Sequence, residues 1–236
     1  MNFVFKVLLG LAILPGILAP ITVHASDIAS KKCQCDGVKY RYLLFTPAHD
    51  QPLPAILLLH GAGDLPDPMI DAWKKLAKKE NIVLIAPELP RDLKFEPIAP
   101  GVFHCIVEDA KHAASIDPKR LYVFGNSMGG YLTYDAAMLD SQFYAAAAVH
   151  AMMISPEYDG IVEKATRKIP IAIFIGTQDQ LVPLADVRRT RDLLLKGKFP
   201  LHYVELKQHD HNYYAISDQI NADAWNFFKA QELPAN

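Results

Sequence analysis

The residues best suited to chemistry lie in Leu121-Tyr-Val-Phe-Gly125-Asn-Ser127-Met-Gly129-Gly130. A β-branched and aromatic run enters a Gly-x-Ser-x-Gly turn and continues into an alanine-rich segment, Met128 to about Leu139. Such a strand-turn-helix unit holds a serine hydroxyl on a tight, strained turn at the end of a sheet strand, with glycines where backbones must close around it. The amides opening the helix then point at negative charge developing near the serine. A serine hydroxyl is a weak nucleophile. It needs an imidazole to take its proton, and the imidazole needs a carboxylate to fix its tautomer. Ser127 therefore points to acyl transfer. Its possible partners follow in chain order: Asp179 in Gly176-Thr-Gln-Asp179, then the histidines of His209-Asp210-His211.

Each partner has an alternative. Asp179 is also placed to cap a helix starting near Val182, which leaves Asp210 or Asp186 as substitute acids. His209 and His211 are two apart, so on an extended segment both point to one side and spacing does not separate them. Upstream, Leu59-His60-Gly61-Ala62-Gly63 ends another apolar run, and His60 suits a supporting role in that loop.

The elements that must position these groups alternate along the chain. Strands are expected over Val38 to Pro47, Ala55 to Leu59, Ile82 to Ala86, Leu121 to Phe124, Tyr144 to His150, Pro170 to Ile175 and Leu201 to Leu206. Several are continuous apolar runs, the mark of strands buried on both faces. Helices are expected over Pro68 to Glu80, Val102 to Ile116, Met128 to Leu139, Leu184 to Lys196 and Asp218 to Gln231. Asp117-Pro118-Lys119-Arg120 is expected to turn the second of these into the serine strand. Strand and helix in alternation give an α/β fold with a doubly wound, mostly parallel sheet, and chemistry gathers at the carboxyl ends of its strands. Only about twenty residues separate His150 from Pro170, a connection too short for a large lid, so the site is expected to be open.

The 236 residues, 51% hydrophobic with a formal net charge of −2, suit one domain and give no reason to expect nucleic acid as partner. Lys6, the apolar run Val7 to Ala19 and Val23-His24-Ala25 have the layout of a secretory signal peptide cleaved after Ala25. Residues 1–25 are then a leader and 26–236 the folded domain, without membrane insertion after cleavage, secreted or periplasmic. In an oxidising compartment Cys105 is expected to pair with Cys33 or Cys35, leaving one thiol; the alternative is three reduced thiols. Cys33-x-Cys35 has no second ligand pair at zinc-like spacing, and no metal or organic cofactor is called for.

Together Leu59-His60-Gly61-Ala62-Gly63, Ile116-Asp117-Pro118-Lys119-Arg120-Leu121-Tyr122, the serine turn, Gly176-Thr-Gln-Asp179-Gln-Leu-Val182-Pro183 and His209-Asp210-His211-Asn212-Tyr213-Tyr214 resemble the α/β-hydrolase superfamily over the whole mature length. The likeness is to the secreted bacterial esterase, polyester-depolymerase and feruloyl-esterase group, and the histidine segment is similar to that of S-formylglutathione hydrolases. The resemblance implies Ser127 as nucleophile, Asp179 as acid and His211 as base, with the amides of Ala62 and Met128 as oxyanion hole. It implies a serine carboxylesterase acting on small-molecule or polymer-borne esters. Asn212 and Tyr213 stand where depolymerases of this group often carry a tryptophan, which counts against the polyester and feruloyl assignments. The competing readings are a serine peptidase of the prolyl-oligopeptidase type and a secreted binding protein that keeps the fold without the chemistry.

Overall fold

A computed structural model describes residues 28–90 and 98–234. The expected leader lies outside the described residues, as does part of the proline-rich stretch 87–101. Eight strands, β1 (Ala29–Cys35), β2 (Val38–Phe45), β3 (Leu53–Leu59), β4 (Val83–Pro87), β5 (Ile116–Asn126), β6 (Ala146–His150), β7 (Ile171–Gly176) and β8 (Leu201–Leu206), form one sheet ordered β1-β2-β4-β3-β5-β6-β7-β8. From β4 through β8 every neighbouring pair is parallel, while β1, β2 and β4 pair antiparallel. Every residue of β3, β4, β6 and β7 is buried, which is why these strands read as unbroken apolar runs.

Helices cover both faces. α1 (Pro66–Glu80) and α5 (Ser217–Phe228) pack Met69, Ile70, Trp73, Ile220, Trp225 and Phe228 against one side. α2 (Pro100–Lys111), α3 (Met128–Leu139) and α4 (Leu184–Lys196) cover the other with Ile106, Leu132, Val187 and Leu194. α1 shows how sequence makes such an element. Pro66 sits in its first turn, Asp67 and Lys78–Lys79 suit opposite ends of its dipole, and Asn81 closes it at φ 56°. The doubly wound sheet is the one the alternation leads one to expect, and a 3-10 helix, Pro156–Glu163, lies in the short connection between β6 and β7.

Two expectations fail at element ends. The helix read to Ile116 stops at Lys111, because Ala113 and Ala114 both donate back to Ala110 O and the chain leaves extended. Asp117–Arg120 is not a turn but an irregular stretch inside β5. Asp117 accepts from Lys119 N and pairs with Arg120 while Ile116 stays in register with Leu53.

Candidate active site

The serine turn comes first because everything else is aimed at it. Ser127 lies between β5 and α3 at φ 53° and ψ −118°, a conformation that costs a non-glycine residue about 1–3 kcal/mol. The surroundings enforce it. Ser127 N donates to His150 O at 2.9 Å, while Gly130 N and Tyr131 N return to Ser127 O. A Cβ on Gly125 would lie 2.1 Å from Gly129 O, and one on Gly129 would lie 2.0 Å from Leu59 O. Any side chain at either position would lift α3 off the sheet and carry Ser127 with it.

An imidazole and a carboxylate reach it from the next strand ends. His211 Nε2 is 3.0 Å from Ser127 Oγ, and His211 Nδ1 is 2.8 Å from Asp179 Oδ2. Asp179 has both roles that its sequence position allows. Its Oδ1 accepts the amides of Leu181 and Val182 at 2.9 Å, while its Oδ2, fully buried, faces the imidazole. The two loops are zipped together: Thr177 N donates to Leu206 O, Gln178 N to His209 O, and Gln208 N to Thr177 Oγ1. A Cβ on Gly176 would come 2.2 Å from His209 O, so glycine lets the loops close to this distance.

The two histidines do not point the same way. The segment is not extended: the side chain of Asp210 caps Asn212 N and Tyr213 N returns to His211 O, so His209 packs inward while His211 reaches Ser127. His209 is 7% exposed with an unpartnered Nε2 among the described residues, its ring 5.6 Å from that of His150. His150, fully buried, bonds through Nδ1 to Asn126 Oδ1 at 2.7 Å. Burial pushes both below the ordinary histidine range, His150 to about 3, so both stand neutral. Asp210 holds Asn212 N at 2.8 Å, and Asp186 begins α4; neither is bonded to an active-site imidazole.

Opposite the imidazole lies the loop after β3. A Cβ on Gly61 would sit 3.7 Å from Ser127 Cβ, so the Gly61–Gly63 backbone borders the nucleophile, with Ala62 exposed. Met128 opens α3, so its amide is among those a helix leaves without an internal acceptor. His60 anchors the loop from beneath. Leu89 N donates to its Nε2 at 3.0 Å, which places the proton on Nδ1, bonded to Gly61 O at 2.8 Å. Burial lowers the His60 pKa and keeps that tautomer neutral. Beside His211 opens a cleft of about 400 Å³ lined by Gln180, Leu181, Asp210 and Asn212. Among the described residues no group of three or more His, Cys, Asp or Glu is arranged to hold a metal.

Some polar contacts near the site have no local sequence signature. Asn126–His150 joins adjacent strands, and Tyr214 Oη donates to Asp64 Oδ2 across the mouth. Of the adjacent tyrosines, Tyr213 is buried and bonds Asn221, while Tyr214 stays at the surface. Cys35 of β1 is joined to Cys105 of α2, and Cys33 remains a buried thiol.

A parallel doubly wound sheet with a serine on the β5–α3 turn and its partners after β7 and β8 defines an α/β-hydrolase. Solved structures agree on the fold. A thermostable esterase superposes with a TM-score of 0.73 at 22% identity, over 87% of this chain and 63% of that one. S-formylglutathione hydrolase of Staphylococcus aureus gives 0.71 at 20%, over 86% and 96%. Residues 70–230 match the dienelactone hydrolase family, and the chain belongs to it. A bifunctional acetylxylan esterase/xylanase of Neocallimastix patriciarum is 31% identical over 147 residues, covering 59% of this chain and 21% of the relative. Feruloyl esterase B of Piromyces equi is 39% identical over 77 residues, 32% of this chain and 14% of the relative. The chain thus spans at most about a fifth of the length of either.

Proposed function

We propose that this protein is an exported serine carboxylesterase using Ser127 as nucleophile, His211 as general base and Asp179 as orienting acid. The observation that carries the reading is the unbroken chain Ser127 Oγ–His211–Asp179, at 3.0 and 2.8 Å. Ser127 attacks the ester carbonyl as His211 takes its proton, and the amides of Met128 and Ala62 receive the oxyanion. His211 then protonates the departing alcohol, so the alcohol portion occupies the cleft on the His211 side. Water, activated by the same imidazole, releases the acid.

That cleft combines polar groups with Leu181, 73% exposed, and it lacks a covering lid among the described residues. This favours short acyl groups on a polar, hydroxylated alcohol, in keeping with the names of the curated relatives. Export is supported by the leader pattern and by the Cys35–Cys105 bridge.

The test is hydrolysis of p-nitrophenyl esters from acetate to palmitate by the mature chain. Turnover should peak at short chains and fall on the order of 10⁴-fold in Ser127→Ala and in His211→Ala. Full activity in Ser127→Ala would exclude the assignment. Labelling by a fluorophosphonate without turnover of any ester would favour the peptidase reading.

A further inference from the structure

The proposed oxyanion amides differ in how they are held. That of Met128 belongs to α3 and moves with Ser127 itself. That of Ala62 sits on an exposed loop between two glycines, Gly63 at φ 71°, closed by a long turn bond from Asp64 N to Gly61 O at 3.3 Å. A donor works in catalysis only if it is fixed where charge develops, within about 0.5 Å of the productive position. His60 fixes the buried side of this loop. On the exposed side Tyr214 Oη donates to Asp64 Oδ2, and Asp64 Oδ1 in turn accepts Leu65 N at 2.9 Å.

The origin of Tyr214 gives this contact its meaning. Tyr214 lies three residues after His211 in a string of tight turns: Tyr213 N to His211 O at 3.0 Å and Ala215 N to Asn212 O at 3.2 Å. Tyr213 roots those turns in the core through Asn221 Oδ1 at 2.5 Å, and Asn221 Nδ2 reaches Ala72 O of α1 at 3.0 Å. The segment presenting the base is therefore rigid, and Tyr214 extends from it across 150 residues of sequence to the loop presenting Ala62. Burial and the adjacent Asp64 carboxylate raise the tyrosine pKa, so the hydroxyl stays a donor at any working pH.

We infer that Tyr214 and Asp64 are a positioning pair that ties the oxyanion loop to the segment carrying the base, holding the Ala62 amide in register with Ser127 and His211. Neither residue touches substrate. This inference rests on the esterase reading above, and the experiment separates the two.

Tyr214→Phe, Asp64→Ala, the double variant and Asp64→Asn would be compared with wild type in p-nitrophenyl acetate hydrolysis. Inhibition by phenylboronic acid, a mimic of the tetrahedral intermediate, would be measured alongside. Complete removal of an oxyanion donor costs about 10²–10³ in kcat, and a donor that is loosened but present should cost about 10-fold. Each disrupting single variant should lose about 10-fold in kcat with KM within twofold, and boronate affinity should fall in parallel. The double variant should lose no more than either single, the mark of a shared interaction. Asp64→Asn keeps an acceptor for the tyrosine and should recover at least half of the wild-type kcat. Single variants with wild-type kcat, losses that multiply in the double variant, or a change in KM alone would each overturn the pair. Failure of the esterase reading looks different: Ser127→Ala would leave wild-type turnover intact.

Discussion

Asp135 lies on α3 two turns beyond the nucleophile, 5% exposed, with Oδ2 lacking a hydrogen-bond partner among the described residues. Tyr131, Tyr134, Met153, Ile154 and Tyr158 surround it between α3 and the Pro156–Glu163 helix. Burial raises its pKa from 3.8 to about 6. The folded state thus holds a proton that the unfolded chain has released. Stability from this group is full below pH 4, is lost as pH rises from about 4 to 6, and changes no further above that. The rise from 3.8 to about 6 corresponds to about 3 kcal/mol of cost at neutral pH.

Asp135→Asn removes the titration with little change of shape. At pH 7.5 the variant should gain up to about 3 kcal/mol relative to its own advantage at pH 4, a Tm difference of about 6–12 °C in a domain of this size. The assay is thermal unfolding of both proteins by circular dichroism from pH 4 to 8, read as the variant-minus-wild-type Tm. Any packing cost of the amide is the same at each pH and drops out of the trend. A difference that does not grow between pH 4 and 6.5, or that shrinks, would refute the reasoning. The wild-type curve alone is uninformative, because buried His150, lowered to about 3, titrates across the same range with the opposite sign.

That opposite sign gives its own expectation. His150 is lowered to about 3, so its contribution is complete above pH 6.5 and is lost as pH falls. His150→Gln keeps a donor for Asn126, and its stability relative to wild type should improve by about 3 kcal/mol from pH 6.5 to 4 in the same unfolding assay. The Cys35–Cys105 bridge closes a separation of 70 residues, so reduction should remove about 4 kcal/mol, seen as a Tm drop of about 10 °C in excess phosphine. Mass spectrometry after alkylation of the unfolded, unreduced chain should find one modified thiol, on Cys33.

The serine turn was legible because its glycines are demanded by contacts local to the motif, and the strands because burial on both faces leaves apolar runs. The strand β1 is absent from the sequence expectations, yet its pattern is local: Cys33 and Cys35 alternate with Lys32 and Gln34, and Asp36-Gly37, with φ 50° and 82°, is a two-residue hairpin turn between them and β2. Which imidazole faces Ser127 was not legible from spacing, because the turn that Asp210 makes with Asn212 N takes the histidine segment off an extended path. The resemblance, not the local pattern, pointed to His211. Asp64 and Tyr214 meet only because β3 and β8 end at the same edge of the sheet, and nothing local to either residue announces it.

The crowding of imidazoles at that edge bears on the proposed reaction. In that proposal His211 becomes an imidazolium for a moment in each turnover, and His209, two residues away, does not replace it. Asp179 lies against Nδ1 of His211, while His209 and His150 are buried with Nε2 atoms unpartnered among the described residues, where a charge is costly. A proton on His211 raises that cost further, since like charges disfavour one another in a site of low dielectric. The neighbours therefore stay neutral while His211 cycles, and one proton governs the acid side of the rate. The acid limb of log kcat/KM against pH should have a slope of one. A slope of two would show His150 or His209 titrating together with the base, and would break the division of roles that burial imposes on the three histidines.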